Sequence, residues 1–304
     1  MSLNRVIKLF FVIFLYSLIP LFAYGGETTG LTFLRIGVGS RESSLGGAVT
    51  SLTRGPSAIY WNPAGLYFSR KREFTFSYTS WLIDIKTHSI GYSFKNKIGV
   101  FGLSFYSSGI KGIQIRTIPG IEPEGETSSH NIMAGCSYAR VLKNHLIFGA
   151  TLKLLYEKIY IDSASGFGAD FGIQYVPSKE GILIGATIQN IGRMGKFRSE
   201  KSKMPAKIKL GIGYKKTFLN KKLSVLIDQD YEFNFDYKDY FLSGIETGFK
   251  DIIVLRVGYI FKHSTRNFSV GTGFKWKNYI FDYAMIPFSN GLGDTHQFTF
   301  NLIF

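Results

Sequence analysis

The residue types that do chemistry are all present in this sequence, but not at the spacings chemistry needs. Its five histidines, His88, His130, His145, His263 and His296, stand apart from one another and from carboxylates at ligand spacing. That leaves no local metal site and no His-activated nucleophile. GxSxG, HExxH, CxxC and P-loop patterns are missing, and the GVG at 37–39 lacks the third glycine and the leading strand of a dinucleotide site. Cys136, the single cysteine, cannot form an internal disulfide and reads as a small apolar residue in an alternating segment. An enzyme, a cofactor and a metal are therefore not expected. Two constellations remain, and their chemistry is structural. Glu246 and Arg256 flank a short turn, and an odd number of residues in the turn at 250–252 sets them opposite each other on adjacent strands. They read as an ion pair that holds register, with a substrate site as the alternative. The second is SAIYWNPAGL, 57–66, where Asn62 suits a helix N-cap and Pro63 the first helical position.

Both need elements to place them. From residue 71 onward apolar and polar side chains alternate with period 2: Phe74, Phe76 and Tyr78 oppose Thr75, Ser77 and Thr79, and Phe167, Ala169, Phe171, Ile173 and Tyr175 oppose Asp170 and Gln174. Fourteen segments pass this test: 71–81, 87–95, 97–107, 129–140, 145–158, 166–177, 181–190, 206–216, 222–232, 239–249, 252–260, 267–276, 278–286 and 295–304. Most run roughly 9–12 residues, the length of a tilted strand crossing a bilayer, where globular strands average about 5–6. Connections alternate too. Those at Asn96, 143–144, 177–180, 218–221, 250–251 and Lys277 are short; the intervening ones are longer after the first, above all 109–128 and 191–205, with moderate ones near 159–165, 261–266 and 287–294. Short turns at one end and long loops at the other are the habit of a membrane barrel. The expected fold is all-β, a transmembrane antiparallel β-barrel of about 14 strands over 71–304, preceded by a hatch, or plug, over 26–70. The hatch segment is glycine-rich, as close backbone approach requires.

Residues 1–25 read as a cleaved signal peptide: Arg5 and Lys8 precede an apolar run over 9–23 that is too short for a comfortable span of roughly 20 residues, and Ala23 and Gly25 suit cleavage. Its removal lowers the formal charge of +15 by two. For an exported chain that basic surplus points to anionic lipid head groups, lipopolysaccharide included, rather than to nucleic acid. Lys153, Glu157, Asp170, Gln174, Gln189, Glu246, Arg256, Asp282 and Gln297 fall on the polar, lumen-facing side. Loop 109–128 carries Ile113, Ile115, Ile118 and Ile121 with Glu122, Glu124 and Glu126, and loop 191–205 carries Arg193, Lys196, Arg198, Lys201 and Lys203. These are the expected partner surfaces. At the end of the chain Phe298, Phe300, Leu302 and Phe304 share one face, resembling the terminal strand read by the outer-membrane assembly machinery.

The run FLRIGVGSRESSLGGAVTSLTRGPSAIYWNPAGL, 33–66, resembles the N-terminal signature of the PorV/PorQ outer-membrane proteins, relatives of the FadL-type transporters with their Asn-Pro-Ala hatch motif. The matching positions are Arg41, Gly46, Gly47, Ala48, Ala58, Asn62, Pro63, Ala64, Gly65 and Leu66, and ATIQNIGR (186–193), GIETGF (244–249), LRVGY (255–259) and GDTHQFTFNLIF also look familial. Trp61, where a Tyr is common, and the high Lys content depart from the pattern. The resemblance implies a 14-stranded monomeric barrel with an N-terminal hatch, in the bacterial outer membrane. For function it implies first an accessory of type IX-like protein secretion that binds the C-terminal domains of cargo, and second FadL-like transport of hydrophobic molecules such as fatty acids.

Overall fold

The computed structural model describes residues 31–304, apart from 117–121, 198–199 and 221. The signal peptide and the first hatch residues lie outside the described part, as do Ile118, Ile121 and Arg198. The strands are β1 Arg72–Ser80, β2 Lys86–Lys95, β3 Val100–Ile115, β4 Gly125–Lys143, β5 Leu146–Ile159, β6 Asp162–Tyr175, β7 Gly181–Met194, β8 Lys196–Phe197, β9 Glu200–Lys201, β10 Lys207–Phe218, β11 Leu223–Asn234, β12 Tyr240–Phe249, β13 Ile253–Ile260, β14 Phe268–Trp276, β15 Tyr279–Pro287 and β16 Asp294–Ile303. All but β8 and β9, which pair with each other, form one closed antiparallel barrel of 14 strands. Each strand pairs with its neighbour in the chain, β10 follows β7, and β1 closes on β16 with Phe76 opposite Phe300. Closure leaves no edge with unpaired backbone groups, which is what a strand protein in lipid requires.

The alternation in sequence becomes an inside and an outside. On β1, Thr75, Ser77 and Thr79 are buried toward the lumen while Phe76 is 37% exposed on the outer wall. Outward aromatic side chains continue around the seam, with Phe281 packed on Phe300 and Tyr283 on Phe298 at 5.1 Å between ring centres in both pairs. Polar residues are thus inside and apolar ones outside, the inverse of a protein in water and the pattern of a barrel wall in lipid.

Two connections differ from expectation. The stretch 109–128 is mostly strand. β3 leaves β2 at Gly109 and continues against β4 as far as Ile115 opposite Gly125, interrupted by a bulge between Ile110 and Ile113 where Gly112 takes a φ of +72°. Ile113 and Ile115, expected on a loop surface, are instead period-2 residues of β3 in a ribbon with β4. The connection near 159–165 is a turn of Tyr160 and Ile161 alone.

Inside the barrel lies the chain from Leu31 to Ser69. It forms a 3-10 turn at Thr32–Arg35, α1 at Ser40–Ser44, α2 at Ala58–Trp61 and a second 3-10 turn at Pro63–Phe68. Pieces so short satisfy few of their own backbone groups. The polar lumen wall supplies the partners: Asp230 accepts from the backbone N–H of Val49 and Thr50 at 3.0 Å, and Gln189 donates to the carbonyls of Tyr60 and Trp61 at 2.7 and 2.9 Å. The largest apolar cluster is also internal. Leu31, Phe33, Leu34 and Trp61 from the plug meet Tyr106, Met133, Leu155, Met194 and Met204 from the wall and its loops.

Candidate functional site

Each residue of the Asn-Pro-Ala-Gly stretch has a definable task. Asn62 is fully buried, and its Oδ1 accepts from the Ala64 backbone N–H at 3.1 Å, capping the 3-10 turn that Pro63 opens. Its Nδ2 donates to Thr50 O within the plug at 2.8 Å and reaches Ile173 O on β6 at 3.2 Å, so one side chain ties plug to wall. The wall has made room for it: a Cβ on Gly172 would stand 1.9 Å from Asn62 Oδ1, and one on Gly149 2.2 Å from the Pro63 carbonyl carbon.

Arg41 on α1 reaches across to Glu246, with Nε 2.8 Å and Nη2 3.3 Å from the two carboxylate oxygens. Glu246 stands opposite Arg256 in the β12–β13 register, and Arg256 Nε donates to it at 2.7 Å. The expected pair is therefore present, but as the middle of a longer chain: Arg256 Nη1 donates to Asp282 Oδ1 at 2.7 Å, while Asn301 and Thr75 carry it on to β1. Two guanidiniums on one carboxylate begin a chain that fastens α1 to five strands, β12, β13, β15, β16 and β1. Gly46 and Gly47, at φ of +66° and +77°, then turn the plug back, with Gly46 against Gly258 of β13 and Gly47 O accepting from Lys209 Nζ at 2.6 Å.

Beside Arg41, the Glu42 carboxyl is 3% exposed, and burial pushes its pKa up to about 7 against the attraction of Arg41. Because the folded value exceeds the ordinary 4.5, the native plug holds a proton that the unfolded chain has released. The stability this contributes is complete below the unfolded value and is lost as pH rises through about 7. Urea unfolding is expected to show a plug more stable at about pH 5 than at about pH 8 by on the order of 2–3 kcal/mol. Glu42→Gln should flatten that slope; an unchanged slope in the variant would assign the effect elsewhere.

At the loop end, above the plug, lies a cavity of about 270 Å³. Its floor is Ile36, Gly46, Gly47, Tyr60 and Trp61; its walls are Leu242 and Ile260; Trp81, Tyr237, His263, Arg266 and Phe288 come from the connecting loops. Trp81 and Phe288 pack edge to face at 5.3 Å. Arg35 lies over Tyr237 with its Cζ 3.5 Å from the ring centre, and Arg266 over Trp81 at 5.7 Å. Lys207 and Lys209 are paired with Glu232 and Asp230, both at 3.1 Å. Arg266 forms no ion pair among the described residues, and burial lowers its pKa against the pull of Glu232. The chamber is thus an aromatic cup with one uncommitted guanidinium.

No protein-family model matches this chain, and no curated protein matches it. Solved structures do. The chain is similar to the Pseudomonas putida toluene transporter TodX, with a TM-score of 0.59 and 15% identity over 87% of this chain and 96% of that one. It is similar to the CymD monoaromatic hydrocarbon channel, at 0.60 and 14% over 88% and 98%, and to a Pseudomonas aeruginosa FadL homologue, at 0.56 and 11% over 86% and 97%. The chain shares the barrel fold of these proteins. At these identities the similarity speaks for architecture alone, and the side chains of this barrel must be read on their own.

Some of those side chains were visible in sequence only singly. Lys153 and Asp170 were assigned to the lumen, but not to each other; they form a buried pair at 2.6 Å, joined by Asn190 in a bulge of β7. Asp228 and Asp230, which hold Ser51, Val49 and Thr50, passed unremarked; two carboxylates at i and i+2 on the inward face of β11 were the available signal. Trp81, Tyr237 and Arg266 lie in loops, where no periodicity marks them. Outward-facing Phe298 and Phe304 are 53% and 63% exposed, with Phe300 and Leu302 partly so.

Proposed function

We propose that the protein is a bacterial outer-membrane channel for hydrophobic and amphipathic small molecules, with its short turns toward the periplasm, and that it is not an enzyme. The observation that carries this is the half-apolar chamber above a plug of the chain's own residues. A porin for ions keeps a water-filled lumen, whereas here the lumen is stoppered and the space above it is lined by Trp61, Trp81, Leu242, Ile260 and Phe288. At about 270 Å³ it exceeds the roughly 150 Å³ cavity that admits benzene and falls just under the usual range for drug-sized ligands. A single-ring hydrocarbon or a short amphiphile fits, and Arg266 offers an anionic head a charge-assisted hydrogen bond.

The structural neighbours, hydrocarbon channels and a FadL homologue, support the transport reading. The secretion role, which came first in the sequence resemblance, receives no support from them, and the order of the two expectations is reversed. The narrower PorV/PorQ affiliation rests on the sequence resemblance of 33–66 and of the downstream segments, and export by a cleaved segment 1–25 and C-terminal recognition by the assembly machinery stand as proposals beside it. The test is uptake of labelled toluene and octanoate by cells devoid of FadL-type channels and expressing this protein. Both compounds should enter faster than in cells with an empty vector, and Arg266→Gln should slow octanoate by about tenfold, the loss of one charged hydrogen bond, while sparing toluene. Entry at the vector rate for both compounds would dispose of the reading.

A further inference from the structure

On the opposite face of the plug, at the turn end of the barrel, is a second cavity of about 430 Å³, bounded by Arg41, Arg54 and Phe68 of the plug and by the inward faces of β10 to β16. Its charges divide into two sets. Arg41, Arg256, Glu246 and Asp282 are consumed by one another in the chain described above. Arg54, Arg70, Lys215 and Lys275 also line the cavity, Arg70 from an exposed position, and none of the four forms an ion pair or a side-chain hydrogen bond among the described residues. Arg54 rests on the ring of Phe68, its Cζ 4.5 Å from the centre. Arg54 keeps exposed surface, but partial desolvation by the surrounding plug and wall, and after it the charge of Arg41, lowers its pKa, as happens to a cation facing other cations. The remaining carboxylates offer these donors little. Glu73 accepts the backbone N–H of Arg70 at 2.9 Å, Glu42 is buried beside Arg41, and Asp251 stands on the exposed rim in the turn after β12. Four cationic groups therefore border one space with their donors unspent, Arg54, Lys215 and Lys275 around it and Arg70 at its exposed edge, and an unpaired donor in a confined site favours an acceptor.

We propose that this turn-end vestibule is a binding site for an anionic group, a carboxylate or a phosphate, held by Arg54, Lys215 and Lys275. The anion has two possible sources, free inorganic anion and the head of an amphiphile that has passed the plug; only the second rests on the channel reading. In that case the two cavities present cations on both sides of the plug, Arg266 at the loop end and this trio at the turn end. The polar wall of the turn-end cavity makes it a station for heads rather than tails.

The experiment titrates inorganic phosphate, hexanoate and neutral hexanol calorimetrically into the full-length protein in non-ionic detergent, in an Arg266→Gln background that silences the loop-end cation. Phosphate or hexanoate should bind in a salt-sensitive manner, and the triple variant Arg54→Gln, Lys215→Gln, Lys275→Gln should weaken that binding about tenfold or more while hexanol stays unaffected. Binding of both anions identifies a general anion site; binding of hexanoate alone identifies the amphiphile head. Absence of anion binding, or wild-type affinity in the triple variant, overturns the proposal. Should the triple variant fail to fold, Lys275→Gln alone, a half-exposed wall position, must still weaken anion binding by a measurable factor. Failure of the channel reading shows separately, as toluene and octanoate uptake at the vector rate with this titration intact.

Discussion

Replacing Asn62 and Pro63 together by Ala is expected to turn a stoppered barrel into a leaky one. Asn62 caps the 3-10 turn and donates to carbonyls of both plug and wall, all in a fully buried position. Loss of the cap costs about 1 kcal/mol, and leaving buried carbonyls without a donor about 1–3 kcal/mol more. Pro63 restricts the backbone of the unfolded segment, and its loss adds a further ~0.4–1 kcal/mol. The sum lies at roughly 2–5 kcal/mol, and since each ~1.4 kcal/mol is tenfold, the open population should rise at least tens of times. Efflux of a small polar dye from liposomes carrying the purified variant reads this directly. Efflux at the wild-type rate would show that the plug is held elsewhere.

Glu246→Ala should have the second large effect, because it strands two cations at once. Arg41 and Arg256 both donate to this carboxylate, at 2.8 and 2.7 Å. Removing one partner of a fully buried pair costs about 3–5 kcal/mol. Here the value should sit at the low end, since Arg41 is 21% exposed and Glu246 16%. The loss should fall on α1 and leave the wall closed, because the β12–β13 register is also held by backbone pairing from Leu242 opposite Ile260 to Phe249 opposite Ile253. Trp61 reports on the plug. In a protein with Trp81 and Trp276 replaced by Phe, its fluorescence should change at lower urea in Glu246→Ala, and a double-mutant cycle with Arg41→Ala should give a coupling of about 1–3 kcal/mol. A coupling near zero would mean that the observed contact does not fasten the plug.

The barrel was legible because its signal is local. Inward and outward residues alternate one by one, as in Phe74 to Thr79, and tight turns such as Lys250–Ile252 punctuate them, so strand count and the Glu246–Arg256 register could be taken from the order of residues alone. The β3–β4 ribbon departs from the expected loop because Gly109 and Gly112 look like loop punctuation, although Gly112 only permits a bulge within a continuing strand. The plug's moorings were not legible. Arg41 and Glu246 are 205 positions apart, and nothing near either residue names the other. The same holds for the loop-end chamber, whose Trp81, Tyr237 and Arg266 are gathered by closure of the barrel rather than by sequence proximity. Small residues facing the plug carried a real but ambiguous signal: Gly149 and Gly172 look like weak points in strands, and are instead the places where the Pro63 backbone and the Asn62 side chain of the plug touch the wall.

The central claim, a barrel that is closed to water-soluble solutes and open to hydrophobic ones, is tested most directly by comparing the flux of octanoate and of glucose into liposomes containing the wild-type protein. The structure predicts octanoate entry faster than in protein-free liposomes together with glucose entry at the protein-free rate. Glucose entering alongside octanoate would contradict the stoppered lumen, and no acceleration of octanoate would contradict the channel.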